Sequence, residues 1–459
     1  MISDLGTQSG FNEMDPHRDG SISLESSKNI SQLAAMSKPS ALARDVESSR
    51  PQQTNQRSCP GEMGFKRTSS HHGPAAALDL SASCRYRGRG QVICRHPSSL
   101  YDVLWAIVEP SRTIAPHLSG GRNMGRQTPA PVRWGLIGLG WVATDFVAPA
   151  MVKHDMSQLA ACLGSSIEKG QAFAERFGVE RVHQSLEAMM NDPDVDAVYI
   201  ALPNALHYEA VLAAARGHKH ILYEKPFAMT VAHARDMVAA CQETGVILRI
   251  AHQIRLDAAV GRAREIVQSG RLGRLVSISL ERASGLAART PWRQDASQSG
   301  VLFDVGVHLL DLIQWVSGQN FVEVSAFTHP DRRQGQPDDT VTVLGRLDGD
   351  GQAVARATRE VAQAENNLII EGTDATLVTS GLRFANEHIV RVRDANSTTE
   401  ERFLASPAYQ FEVLAFEGEL RGQRSPLPDG RNSFQTVAVT QAVLQSIDER
   451  RIIAVPPMA

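Results

Sequence analysis

The chain has 459 residues, 42% apolar and 21% charged, with a formal net charge of −3. That length accommodates two or three domains, and the near-neutral balance offers no general attraction to nucleic acid or to an anionic membrane. No run reaches the length of a membrane span, and five cysteines without metal-type spacing argue against a disulfide framework or a zinc site and for a reducing, cytoplasmic setting.

Residues 1–130 do not read as a packed domain. Ser, Gln, Asn, Gly, Pro and Arg dominate, and the best apolar stretch, Leu100–Val108, is short and isolated. The expectation is a disordered arm or an extension ahead of a start at Met124. From Val132 the texture changes to alternating strands and helices, the pattern of a parallel sheet. The apolar run Val132–Ile137 enters Gly138-Leu-Gly140-Trp141-Val-Ala143. Gly138 allows a tight turn, Gly140 a close backbone approach to a pyrophosphate, and Ala143 close packing of the next helix, whose N-terminus offers free N–H groups. The pattern also occurs in ordinary tight turns, so its context carries the reading.

A helix is expected over Asp145–Lys153, a strand over Leu159–Leu163 and a helix over Lys169–Phe177. At the end of that second strand, where an acid would hold a ribose 2′-hydroxyl, stand Gly164-Ser165-Ser166, with Lys169 a turn further on. Nothing there excludes a 2′-phosphate, so the choice falls to NADP ahead of NAD; the alternative is that the serines only cap the helix. Next come a strand over Asp196–Ala201, Pro203-Asn204-x-x-His207, a helix over Tyr208–Arg216 and a strand over His220–Tyr223 running into Glu224-Lys225-Pro226. A helix over Val231–Glu243 and a strand over Val246–Ile250 close a doubly wound domain, 131–250.

Residues 251–459 read as an α+β domain. Helical pattern covers Ala258–Ser269, a strand Leu275–Leu280, and a loop with Trp292 and Arg293 leads to a helix opening at Asp304. Short strands follow over Phe321–Thr328, Thr340–Leu347, Ala353–Thr358, Leu368–Glu371, Thr376–Thr379, His388–Val392 and Thr399–Phe403, a mostly antiparallel open sheet, then a closing helix over Ser433–Glu449. Asp304 and His308 are four apart and would share a helix face away from the apolar stripe Val305, Leu309, Leu312, Ile313, Val316. Taken alone, they are a helix cap and its partner as readily as a site.

Together, Gly138–Ala143, Pro203-Asn204-x-x-His207, Tyr223-Glu224-Lys225-Pro226 and Asp304-Val-Gly-Val-His308 closely resemble the glucose–fructose oxidoreductase / inositol dehydrogenase / rhizopine-catabolism family, Gfo/Idh/MocA, from about Val132 to Glu449. One departure is that a single glycine, Gly300, precedes the Asp304 motif. The resemblance implies a Rossmann domain binding NAD or NADP and a second domain that supports the substrate pocket and homodimer or homotetramer contacts. It implies that Lys225 contacts the substrate oxygen and the nicotinamide ribose, that His308 is the general acid/base, and that Asp304 hydrogen-bonds substrate or histidine. Glu224 would orient Lys225 or the ribose, and Pro203, Asn204 and His207 would line the nicotinamide side, the alternative being that Asn204 and His207 cap the Tyr208 helix. From its place before the Asp304 helix, Arg293 would reach phosphates or substrate or, equally, stand as an exposed loop arginine; Gln253 and Arg255, at the start of the second domain, would face the cleft. The expected reaction is hydride transfer between nicotinamide and a hydroxyl-bearing carbon of a sugar, cyclitol or cyclic trans-diol. The alternatives are an NAD-dependent glycosidase of the same family and a non-catalytic NAD(P)-binding regulator.

Overall fold

The computed structural model describes residues 83–87, 91–95, 130–284, 294–362, 366–382 and 386–457. Of the N-terminal arm it describes only an antiparallel hairpin, β1 (Ser83–Arg87) and β2 (Gln91–Arg95); Leu100–Val108 and Met124 lie outside the described residues.

The first sheet is parallel throughout. Its strands are β3 (Val132–Ile137), β4 (Ser157–Leu163), β5 (Arg181–His183), β6 (Ala197–Ile200), β7 (His220–Glu224) and β8 (Leu248–Ala251), in spatial order β5-β4-β3-β6-β7-β8. The chain builds outward from β3 one way, then crosses to β6 and builds the other. A crevice therefore opens at the carboxyl ends of β3 and β6, which lead into Gly138 and Pro203. The central strands are apolar on both faces because helices cover both. These helices include α1 (Ala148–Met151), α2 (Ile167–Phe177), α3 (Leu186–Met190), α4 (His207–Arg216) and α5 (Val231–Thr244). The short β5 and α3 were not expected; three residues and one turn are too little for periodicity to declare.

The second sheet has nine strands. They are β9 (Leu275–Ala283), β10 (Phe321–His329), β11 (Thr340–Leu347), β12 (Gln352–Thr358), β13 (Leu368–Gly372), β14 (Ala375–Ser380), β15 (Glu387–Asp394), β16 (Thr398–Leu404) and β17 (Ile453–Ala454). Their order is β16-β15-β14-β13-β9-β12-β11-β10-β17, and among these pairs only β9–β12 is parallel. One face packs on α6 (Ala258–Gln268), α7 (Val307–Ser317) and α9 (Gly430–Glu449), in a core that includes Ile278, Leu280, Leu309, Ile313, Val343 and Val443. This is the α/β plus α+β architecture that the alternation of elements predicts.

Two departures matter for the site. The helix expected to open at Asp304 is preceded by a π-helical turn, Leu302–Gly306, and a second such turn, Ala143–Val147, follows the glycine loop; π turns inside helices recur at functional sites. An unexpected helix, α8 (Ala408–Leu420), packs on the first sheet although it lies late in the chain. Phe411, Val413, Leu414 and Phe416 join the core around Trp134, and the Trp134 Nε1 donates to Glu417 Oε1 at 2.9 Å. Because α8 is buried nearly all round, it lacks the one-sided stripe by which a surface helix is recognised.

Candidate active site

Gly138 sits at φ +89°, and a Cβ there would come within 2.5 Å of the Ala201 carbonyl oxygen at the end of β6. Only glycine fits both constraints. Around Gly140 a Cβ would meet nothing within 4 Å, so the loop faces open space there. Ala143 is fully buried, whereas Trp141 is 55% exposed, its edge against Phe146. This is a cradle that a pyrophosphate fits. Gly138→Ala is expected to cost at least ~1–2 kcal/mol for the left-handed backbone alone, a fall of several degrees in melting temperature. Gly140→Ala should leave the melting temperature near wild type and raise the cofactor's Kd. Thermal scans paired with fluorescence titration check both, and equal destabilisation by the two would defeat the assignment.

At the end of β4, Ser165 and Lys169 are exposed, while Ser166 caps α2 by accepting from the Lys169 backbone N–H. The capping role thus accounts for Ser166 and leaves Ser165 and the Lys169 side chain facing solvent.

Across the crevice, the peptide bond Lys225–Pro226 is cis. Lys225 leaves the end of β7 and its Nζ donates to the Asp304 carbonyl oxygen at 2.8 Å and to Asp304 Oδ1 at 3.0 Å. The other Asp304 oxygen pairs with Arg359, just past β12. The two halves of the molecule are therefore joined through Asp304. The carboxylate reaches both Lys225 and Arg359. It does not cap the helix. The N–H groups of Val301 and Leu302 go to Asp338, whose carboxylate is paired with Arg332. Gly300 is at φ +110°, and a Cβ there would overlap the Asp338 carboxylate, which explains the single glycine before this turn.

His308, one turn into the helix, is 2% exposed and its Nδ1 has no hydrogen-bond partner among the described residues. Its ring meets His252 edge to face at 5.5 Å. Burial, then the nearby Lys225 ammonium and His252, hold its pKa well below the usual imidazole value, so the ring is neutral. His252 lies against Asp311, and Asp311 is held by a bidentate pair with Arg255 at 2.5 and 2.7 Å. Asp311 is thus committed to the Arg255 pair and to the Thr436 hydroxyl inside the core. Arg255, expected to face the cleft, is instead buried on Asp311, and Gln253 is buried too; a carboxylate inside the core leaves its guanidinium no freer position.

Glu224 is buried, beside the Lys225 ammonium and the Lys225 backbone N–H. It meets the Tyr199 hydroxyl at 3.0 Å, which lies 2.9 Å from Glu412 of α8. A hydroxyl has one proton to donate, so one carboxyl here is a neutral acid. Desolvation raises both carboxyls above the ordinary carboxylate range, Glu412, which also faces Glu224, well above it. Nothing in the sequence announced this link, since its members lie on β6, β7 and α8.

Asn204 donates from Nδ2 to the Gln298 carbonyl oxygen at 2.7 Å. His207 faces the carbonyls of Pro226 (3.2 Å) and Leu202 (2.9 Å), so it braces the backbone on either side of the cleft floor; neither residue caps α4. Pro203 opens that turn. Arg293 lies outside the described residues.

Burial lowers His207 and His252 to about 4 and holds His308 well below its usual value. Their folded pKa values lie below the unfolded 6.5, so the stability they support is complete above pH 6.5. It drains as pH falls toward 4, at about 1.4 kcal/mol per pH unit per group. The melting temperature is expected to fall through that window, and less steeply in His207→Gln. A flat profile between pH 6.5 and 4.5 would contradict the buried neutral rings.

Residues 132–252 match the family described as the oxidoreductase family with an NAD-binding Rossmann fold, and residues 260–378 match the GFO/IDH/MocA C-terminal domain. The chain is 30% identical over 321 residues to the 1,5-anhydro-D-fructose reductase of Ensifer adhaerens, covering 68% of this chain and 96% of that protein. It is 30% identical over 247 residues to the trans-1,2-dihydrobenzene-1,2-diol dehydrogenase of Bos taurus, covering 53% of this chain and 72% of that one. The fold is shared with an aldose-aldose oxidoreductase of Caulobacter crescentus, at a TM-score of 0.64 and 24% identity over 71% of this chain and 99% of that one. The protein belongs to the Gfo/Idh/MocA family and is an NAD(P)-dependent dehydrogenase or reductase. Among the described residues no helix is long and apolar enough to cross a membrane.

Proposed function

We propose that the protein moves a hydride between a nicotinamide cofactor and a hydroxyl-bearing carbon of a sugar, cyclitol or cyclic trans-diol. The observation that carries this reading is the Lys225–Asp304 bond, which ties the end of β7 to the turn before His308. The family resemblance and the relatives' substrates supply the rest. When bound, the nicotinamide supplies the hydride acceptor or donor. In oxidation, His308 takes the hydroxyl proton: its ring is neutral and its Nδ1 uncommitted among the described residues. Lys225 stabilises the negative charge that grows on the oxygen as the proton leaves. Asp304, shared with Arg359, fixes the position of the ammonium. Reduction runs the same roles in reverse.

NADP is the preferred cofactor on this reading, because no acid stands at the end of β4 and the exposed Ser165 and Lys169 suit a phosphate. Fluorescence titration tests it. Lys169→Ala should weaken NADP by about tenfold, ~1.4 kcal/mol, and leave NAD unchanged. Tighter binding of NAD than NADP by the wild type would refute the preference without touching the oxidoreductase reading.

A further inference from the structure

Arg282, one residue from the end of β9, is 6% exposed, yet its two terminal guanidinium nitrogens have no hydrogen-bond partner among the described residues. A guanidinium does not shed its proton. A buried one left unpaired is among the costliest arrangements a protein interior holds, and it persists where something else completes it. Its place in the sheet says what that is. Arg282 stands beside Ala357 on the parallel neighbour β12, and Ala357 lies in the core on the helix-covered face. Side chains paired across neighbouring strands project from the same face, and residues two apart on a strand do as well. Arg282 and Arg359 therefore stand on the face that carries the reaction site, at the carboxyl ends of adjacent parallel strands. Arg359 reaches Asp304, which in turn holds Lys225. Glu281, the residue next to Arg282, projects to the other face and pairs with Arg356. The Asp304 charge is already divided between Lys225 and Arg359.

We infer that Arg282 takes an anionic group, a carboxylate or a phosphate, carried by the polyol whose carbinol lies at Lys225 and His308. This rests on the proposed function and narrows its substrate class to acid-bearing sugars. A planar fork of donors matches either oxyanion.

The test uses the full chain saturated with NADP. Calorimetric titrations compare D-glucuronate with D-glucose, D-gluconate with D-sorbitol, and D-glucose 6-phosphate with D-glucose. The expected result is at least one acid bound roughly tenfold or more tightly than its uncharged counterpart. Arg282→Met should erase that difference while NADP affinity stays within about twofold. The arm that responds tells carboxylate from phosphate. Ligand-free Arg282→Met should also melt higher than wild type, because it removes an uncompensated buried charge. Equal affinity, or no binding, of acids and uncharged counterparts by the wild type overturns the inference. A lower melting temperature for Arg282→Met also overturns it, since the guanidinium would then have a structural partner. Absence of NADP binding in the first titration would instead count against the proposed function.

Discussion

His308→Ala is expected to lower turnover by about a hundredfold or more, the usual worth of a proton-transfer group, with cofactor affinity unchanged. The ring is buried, neutral and lacks a partner at Nδ1 among the described residues. His207, by contrast, has a backbone carbonyl oxygen beside each ring nitrogen, so whichever nitrogen carries its one proton has an acceptor. Single-turnover measurement with cofactor prebound separates chemistry from binding. On the proposed chemistry the loss falls on kcat and not on the cofactor's Kd. A variant that turns over near the wild-type rate would remove His308 from the reaction.

Lys225→Ala is expected to cost turnover on a similar scale, about two to three orders of magnitude, because it deletes a cation placed where charge develops. The variant also leaves Asp304 with Arg359 alone, so the two halves lose one of their links. Lys225→Arg is the control. It keeps the charge and the ion pair but places a bulkier, planar group there. Expected activity is well below wild type in both, with the melting temperature restored in the arginine variant. Full activity in Lys225→Arg would mean that charge alone suffices, and near-wild-type turnover in Lys225→Ala would refute the role.

Much of this was legible in order along the chain. The parallel half declared itself through apolar runs that end in glycine, proline or a charged residue, and Thr340–Leu347 matches its expected bounds to the residue. The strand and loop motifs are local, so their chemistry is written locally: Gly138 at its tight turn, Lys225 at a strand end, His308 on a helix. What could not be read is what distant residues do to one another. Arg359 follows an ordinary strand, and its link to Asp304 exists only once β12 lies beside the π turn. Tyr199 and Glu412 are 213 residues apart and share a hydroxyl. Asp304 and His308 read as one stripe on a regular helix, but Asp304 falls inside a π turn, where its carboxylate meets Lys225, while His308 lies buried just beyond it.

Helix α8 makes the nucleotide-binding half incomplete without the tail of the chain. Phe411 to Phe416 and the carboxyls of Glu412 and Glu417 close the core over Trp134 and Tyr199. A fragment ending near residue 250 would leave an oily trench along its sheet and the Trp134 N–H with nothing to receive it. Anyone grafting this cofactor module onto another substrate domain must therefore carry residues 408–428 across as well, or supply a helix of the same shape.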